Sequence, residues 1–225
     1  MALADNALTT VATVEDELGI SSGTETARLQ RMINEASAIA ESFAGRSFYR
    51  VAADVEKVRG TEGPFLFLSR KPINSITSIA YLGTTLSSGD YEIHGDGTSG
   101  IVYAVGGSWS RDGMIYNDIS RTRSPGNERL SYTATYDGGW YTPKQEDGGD
   151  GTRALPYDIE SAVISIVSYL RRGMGRDPSV VAEKLMDASV TFSSGGLDAS
   201  GAGWLATEVP RAAGILNRYK SVVMR

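Results

Sequence analysis

The sequence predicts an α+β fold, with a helical core of N- and C-terminal helices and a β-rich antiparallel insertion between them. Three observations predict it. Near each end, apolar residues recur at three- and four-residue steps, the spacing of one helix face. Between these stretches the pattern changes to short runs rich in Thr, Val, Ile and Tyr. Of the 26 glycines, 16 lie between Gly60 and Gly151, so this middle segment is dominated by turns.

In chain order, Thr13 reads as the N-cap of a short helix over 14–18, with Asp16 at the capping-box position and Gly19 as the stop. Thr24 or Thr26 opens the next helix. Its stripe is Leu29, Met32, Ile33, Ala36, Ile39, Ala40 and Phe43, and Gly45 ends it. The small residues Ala36, Ser37, Ala40 and Ala44 would let another helix approach closely. Strands are predicted at 51–59, 65–68, 73–82, 91–93, 101–105 and 131–136. The stretch 106–127 is polar and weakly patterned and reads as a long loop, and 143–153 (PKQEDGGDGTR) as a second flexible connection.

Helix character returns at Pro156, a good first-turn residue, with Asp158 and Glu160 near the positive end of the dipole. Ile159, Ala162, Val163, Ile166, Val167 and Leu170 form its stripe, and Arg171, Arg172 and Gly173 finish it. Ser161, Ser165 and Ser168 line a second face, which suits either solvent or a close neighbouring helix. A shorter helix is predicted over 180–188, then a strand over 189–192. A Ser/Gly-rich link, 193–203, leads to a last helix starting near Pro210, with 221–225 as a free tail. The domain reading is therefore a helical core from 1–50 and 155–220, a β-rich insertion with long loops over 51–154, and a C-terminal tail over 221–225. Neither terminal stripe can be buried alone, so the two ends are expected to pack as one core.

Composition narrows the function. The chain of 225 residues is 41% apolar and 22% charged, ordinary for a folded domain. No run of about 18 apolar residues exists, so no membrane span is expected. The N-terminus lacks the basic-then-apolar layout of a signal peptide, so the product is expected to stay in the cytosol. There are no cysteines and a single histidine, His94, which excludes disulfides, thiolate nucleophiles and multi-histidine metal sites. The net charge of −5 argues against a general nucleic-acid binder. The charge is uneven, however: from Val209 onward Arg211, Arg218, Lys220 and Arg225 stand without an acid. A basic end on an acidic body suits docking on an acidic surface, and equally suits cations complementing a helix C-terminus.

A catalytic constellation is missing. A hydrolase would need His94 with a nucleophile, and Gly106-Gly107-Ser108-Trp109-Ser110 lacks the last glycine of a G-x-S-x-G elbow. His94-Gly95-Asp96-Gly97 reads as a turn. The acidic run 146–151 lacks the spacing of a calcium loop, and no phosphate-binding glycine motif follows a strand. The aromatic set Tyr103, Trp109, Tyr116, Tyr132, Tyr136, Trp140 and Tyr141 suits sugar or base stacking, but alternating strand positions favour a sandwich-like core with rim residues. No enzyme activity and no cofactor or metal is expected.

The order of segments carries a resemblance. LTTVATVEDELGI, LQRMINEASAIAESFAGRSF, LFLSRKPINSITSIAYLGTTLSSGDYEI, TYDGGW, LPYDIESAVISIVSYLRR and the closing VPRAAGILNRYK together resemble the head-tail connector (adaptor, or head-completion) proteins of tailed bacteriophages. The likeness spans nearly the whole chain. It implies a virion structural protein at the neck, made in the bacterial host cytoplasm. There it would form a homo-oligomeric ring, commonly dodecameric, beneath the portal protein. The ring would extend the DNA channel and present a surface to the next neck or tail protein. Double-stranded DNA would pass through without sequence-specific binding, which suits an acidic chain.

The resemblance further implies that the helical core makes the ring, with Ala36, Ala40, Ser161, Ser165 and Ser168 as subunit-packing candidates. It also implies that the C-terminal segment reaches the portal. Pro210, Leu216, Arg218, Tyr219 and Lys220 match the closing helix pattern, and portal docking falls to Arg218, Tyr219, Lys220, Ser221, Val222, Val223, Met224 and Arg225. The sequence departs from the shorter family pattern at 95–130 and 143–153, enlarged loops that could face the tail side, neighbours or the capsid. Alternatives are another neck or tail-completion ring component, or a carbohydrate- or nucleic-acid-binding module.

Overall fold

The computed structural model describes residues 2–110, 132–143, 145, 154–173, 182–185, 188–191 and 203–220, with the backbone alone described for 182–185 and 188–191. The fold is α+β, and the chain divides into two compact units. One comprises residues 1–47, 142–146 and 154–225, and the other 48–141 and 147–153.

The first unit is helical. Helix α1 (Val11–Leu18) is capped by Thr10, whose Oγ1 accepts the Thr13 amide at 3.2 Å. The sequence expectation put the cap at Thr13; the structure places Thr13 at the third helical position, and the helix gains nearly a turn. Either threonine has the chemistry to cap, and the earlier one satisfies the amide of the later. Gly19 closes α1 at φ 63. Helix α2 (Thr26–Ala44) buries Leu29, Met32, Ile33, Ala36, Ser37, Ala40 and Ala44 along one side and ends at Gly45, also left-handed at φ 64. Helix α3 (Tyr157–Gly173) buries Ile159, Ala162, Val163, Ile166 and Val167.

Two elements differ from expectation. Where a helix was predicted over 180–188, strands β8 (Ala182–Leu185) and β9 (Ala188–Thr191) pair antiparallel as a hairpin. Nine residues are too few for a helix to hold without tertiary support, whereas Ala188–Thr191 offers a cross-strand partner immediately downstream. Helix α4 (Gly203–Glu208) precedes α5 (Pro210–Asn217), whose first turn carries Pro210. No element is predicted between the link over 193–203 and the helix from Pro210, where α4 lies, because so short a segment with one buried position, Leu205, carries no readable period. Helices α2, α3 and α5 pack on one another, with α1 against α2 and α3. Ala7, Leu8, Val14, Leu155, Leu205, Val209, Ala212, Ala213 and Leu216 complete this core.

The second unit is β-rich. Strands β1 (Val51–Val58), β3 (Ile73–Tyr81), β4 (Thr84–Thr85) and β7 (Tyr132–Gly138) form a four-stranded antiparallel sheet in the order β1-β7-β3-β4. Strands β2 (Phe65–Phe67), β5 (Tyr91–Ile93) and β6 (Ile101–Ala104) form a second antiparallel sheet in the order β2-β6-β5. Both sheets contribute to one core: Val58, Ile73, Ile79, Tyr132, Ala134 and Tyr136 from the first, and Leu66, Leu68, Val102 and Ala104 from the strands of the second and their immediate flanks. Trp109, at the start of the predicted long loop, joins this core. Its indole donates to Pro64 O at 3.0 Å and meets the Tyr132 ring edge-on at 5.1 Å. Gly60 makes room for that return, since a Cβ there would sit 1.9 Å from Ser110 O. The remainder of that loop, 111–127, and the second connection apart from Pro143 and Gln145 lie outside the described residues.

Polar clasps brace the β unit. Asp137, 7% exposed, accepts two hydrogen bonds from Arg50 Nε at 2.9 and 3.0 Å, a further one from Arg50 Nη2, and one from Asn74 Nδ2 at 3.1 Å. Arg50 also lies 4.4 Å over the Tyr141 ring. The Tyr136 hydroxyl donates to Glu56 at 2.8 Å and accepts the Arg70 amide at 3.1 Å. Burial, and then the Glu56 carboxylate, push that phenol far above its ordinary range. The TYDGGW motif thus has a structural account. Its two glycines sit where side chains would collide: a Cβ on Gly139, at φ +101, would lie 2.4 Å from Tyr49 O.

Candidate functional site

The helical unit carries an open groove of about 770 Å³. Its floor is the face of α3 opposite the buried stripe: Tyr157, Glu160, Ser161, Ile164, Ser165, Ser168 and Arg172. One wall is α1, through Thr13, Glu17 and Leu18, and the other is the α4–α5 corner, through Glu208, Val209, Pro210 and Arg211. The groove exists because α3 spends its apolar face inward on Ile159, Ala162, Val163, Ile166 and Val167, which leaves short serines outward.

Hydrogen bonds internal to the unit fix the floor. Ser165 Oγ donates to Ser161 O at 2.8 Å, and Arg172 donates to Ser168 O at 3.3 Å and to Ser168 Oγ at 3.4 Å. Glu160 accepts from Thr9 Oγ1 at 2.9 Å, tying the α3 N-terminus to the residue before the α1 cap. Tyr157, at the N-terminal end of this α3 face, is 88% exposed. Charges of both signs line the groove: Glu17, Glu160 and Glu208 against Arg172 and Arg211.

The structure therefore brings Ser161, Ser165 and Ser168 together on one concave surface. It separates them from Ala36 and Ala40, which are 0% exposed inside the unit's own core. The small-residue face of α2 that carries these two alanines is used inside the chain's own core. Glu17 and Tyr157 were not singled out from the sequence, and Pro210 and Arg211 were read only as parts of the closing helix and its basic end. Part of the signal was readable: Tyr157, Ser161, Ile164 and Ser168 repeat at 4-3-4 steps, a second helical ridge beside the buried one. The α1 and α5 walls come from distant segments, and no local pattern announces them.

The closing residues divide. Arg218, the α5 C-cap, is exposed. Tyr219 Oη donates to both Asp158 oxygens at 2.9 Å; burial and then this carboxylate push its pKa up to about 12. Lys220 Nζ lies 4.3 Å over the Phe43 ring. Tyr219 and Lys220 thus fasten the end of α5 to α3 and α2. Ser221, Val222, Val223, Met224 and Arg225 lie outside the described residues.

The other candidates from the sequence take structural places. His94 is exposed, with the Phe65 ring edge-on at 5.4 Å, and the turn after it is closed by Asp96 accepting from Thr98 N at 3.0 Å. Trp109, Tyr132, Tyr136, Trp140 and Tyr141 are buried, and Tyr103 is half-buried. Tyr116 and the acidic run 146–151 lie outside the described residues. Among the described residues no three His, Cys, Asp or Glu side chains are grouped to hold a metal ion, and no helix is long and apolar enough to cross a membrane.

No protein-family model matches this chain, and no curated protein matches its sequence. Solved structures do. A chain from the neck of an empty GTA (gene transfer agent) particle, computed with C6 symmetry, aligns with a TM-score of 0.52 at 16% identity, over 100% of this chain and 95% of that one. A chain from the neck of a native GTA particle, computed with C12 symmetry, aligns at 15% identity with a TM-score of 0.49, over 100% and 94%. The first of these shows that the fold is shared along the whole chain.

Proposed function

We propose that this protein is a structural component of a phage-type neck, an adaptor ring between the portal and the tail or stopper that extends the DNA channel. The observation that carries the reading is the end-to-end fold likeness to a chain from a GTA particle neck. It joins the sequence resemblance to head-tail connectors, which rests on the same helical ends and the same β insertion. That neck was computed with C6 symmetry, and a sixfold assembly accommodates a dodecamer as two copies per repeat. Ring building falls to the helical unit, through the serine-floored groove. Docking to the portal falls to Arg218 and to Ser221, Val222, Val223, Met224 and Arg225, with Tyr219 and Lys220 anchoring the point from which that segment leaves. The burial of Trp109, Tyr132, Tyr136, Trp140 and Tyr141 works against the carbohydrate- or nucleic-acid-binding alternative, since those rings are committed to the core.

The test is negative-stain imaging and co-sedimentation of the purified protein with its portal. The expected result is a ring seated beneath the portal. Deleting residues 221–225 should leave a folded protein that no longer co-sediments; retained co-sedimentation would refute the docking role. Binding to tail components but not to the portal would favour another ring of the same neck.

A further inference from the structure

We propose that the groove over α3 is filled by the solvent face of α2 from a second copy of this chain, in a head-to-tail contact. This rests on the ring reading above and names the two surfaces that would build the ring. The floor from Glu160 to Arg172 is about 18 Å long at ~1.5 Å per residue. Its small side chains let a helix approach closely, and Ser161, Ser165, Ser168 and Arg172 follow the 4-3-4 steps of a helix-packing ridge. The Ser165 hydroxyl already donates to Ser161 O and the Ser168 hydroxyl accepts from Arg172, so each keeps a hydrogen-bond partner when covered.

The unpartnered face of α2 has the matching dimensions. Arg28, Arg31, Glu35, Ala38 and Ser42 are exposed, and Arg31, Glu35, Ala38 and Ser42 repeat at the same 4-3-4 steps over about 17 Å. Its N-terminal half is basic and its C-terminal half is small. The floor of the groove is acidic at its N-terminal end, at Glu160, and basic at its C-terminal end, at Arg172. Charge complementarity therefore sets the two helices parallel, with Arg31 at the level of Glu160 and Ala38 at the level of Ser168; the reverse direction would bring Arg31 to Arg172. Groove and α2 face are different patches of one surface, so the contact is heterologous and propagates from copy to copy until a ring closes.

The chain contains no cysteine, which makes the test clean. Single variants Ala38→Cys, Ser168→Cys and Ser161→Cys, all at partly or fully exposed positions, are mixed pairwise at high protein concentration and mildly oxidised. A disulfide-linked dimer from the A38C and S168C mixture, at least about tenfold stronger than from A38C with S161C, is the expected result, with a ladder of higher species from the double variant A38C/S168C. A dominant A38C–S161C product, self-linked S168C, or no product from any mixture would overturn the proposal. Sizing the unmodified protein alone and with its portal separates the two readings. Rings without the A38C–S168C link would sink the groove pairing and leave the neck assignment standing. A protein that forms no ring, free or with its portal, would sink the neck assignment.

Discussion

In the helical unit, the Glu25–Arg171 ion pair lies at helix ends, whereas in the β unit ion pairs are drawn into the framework. Glu25 and Arg171 pair at 3.1 Å across the ends of α2 and α3, and Tyr219 holds Asp158 in the first turn of α3. Between those ends the helical interior is mainly apolar, with Leu29, Ile33, Ile159, Val163, Ile166 and Leu216 all 0% exposed and Ser37 accepting the Leu8 amide among them. The β unit instead runs Arg50–Asp137–Asn74 and Glu56–Tyr136 through the strands and turns of its sheets. A helix satisfies its own backbone, so its side chains are free to specialise in burial. The β unit is built partly from three-residue strands and left-handed glycine turns, whose backbone groups need other partners. Asn74 donates to Gly139 O, Arg70 to Tyr49 O, and Glu56 accepts the Ser69 amide, each doing in the β unit what a helical hydrogen bond does in the other.

The sharpest way to break this contrast is to put a charge into the helical interior. Ile166→Asp, at a position fully enclosed within α3, should destabilise the helical unit by about 4 kcal/mol or more. Thermal unfolding followed by far-UV circular dichroism checks it, and an unchanged midpoint would remove the apolar account of this unit. Next in size is Asp137→Ala, which leaves the half-buried Arg50 guanidinium and the Asn74 amide without their acceptor. Removing one partner of an enclosed pair costs about 3 kcal/mol, here read as a lower urea midpoint by tryptophan fluorescence, since Trp140 stacks on Phe48 beside the clasp. A loss below that of an ordinary surface pair would mean that the β unit, too, stands on its apolar core.

The smallest effect distinguishes the clasps by pH. Tyr219 has its pKa raised to about 12 in the folded protein, above its ordinary value near 10. The folded state therefore holds this proton more tightly. The stabilisation is complete below pH ~10 and is lost as pH rises through about 12. Tyr219→Phe should cost about 1 kcal/mol at neutral pH and flatten that alkaline loss. Denaturation midpoints of the two proteins measured from pH 7 to pH ~12 should converge at the alkaline end; parallel curves would show that Asp158 takes no part.

Much of the fold was legible because it is periodic. The stripes of α2 and α3 are written at helical spacing, and the seven predicted strands occur within about two residues of their predicted ends. What failed lacked a period or had two equally good local solutions. Thr10 and Thr13 both suit a cap, Ala182–Leu185 suits helix or hairpin, and α4 is too short to show a stripe. The candidate site was half legible. Ser161, Ser165 and Ser168 stood out as a second face of α3, but Ala36 and Ala40 carried the same small-residue signal and went to the interior.

That last pair marks the division between the two kinds of information. Which residues lie on a common face is a property of local geometry, the 3.6-residue turn of a helix or the alternation of a strand, and the sequence carries it. Whether a small-residue face meets its own chain or remains open is decided only when segments far apart in sequence come together. Residues around Thr13, Ser165 and Pro210 form one groove because α1, α3 and α5 pack, and Ala36 is closed off for the same reason. Burial is a sum over neighbours from the whole unit, and no local stretch of sequence contains those neighbours.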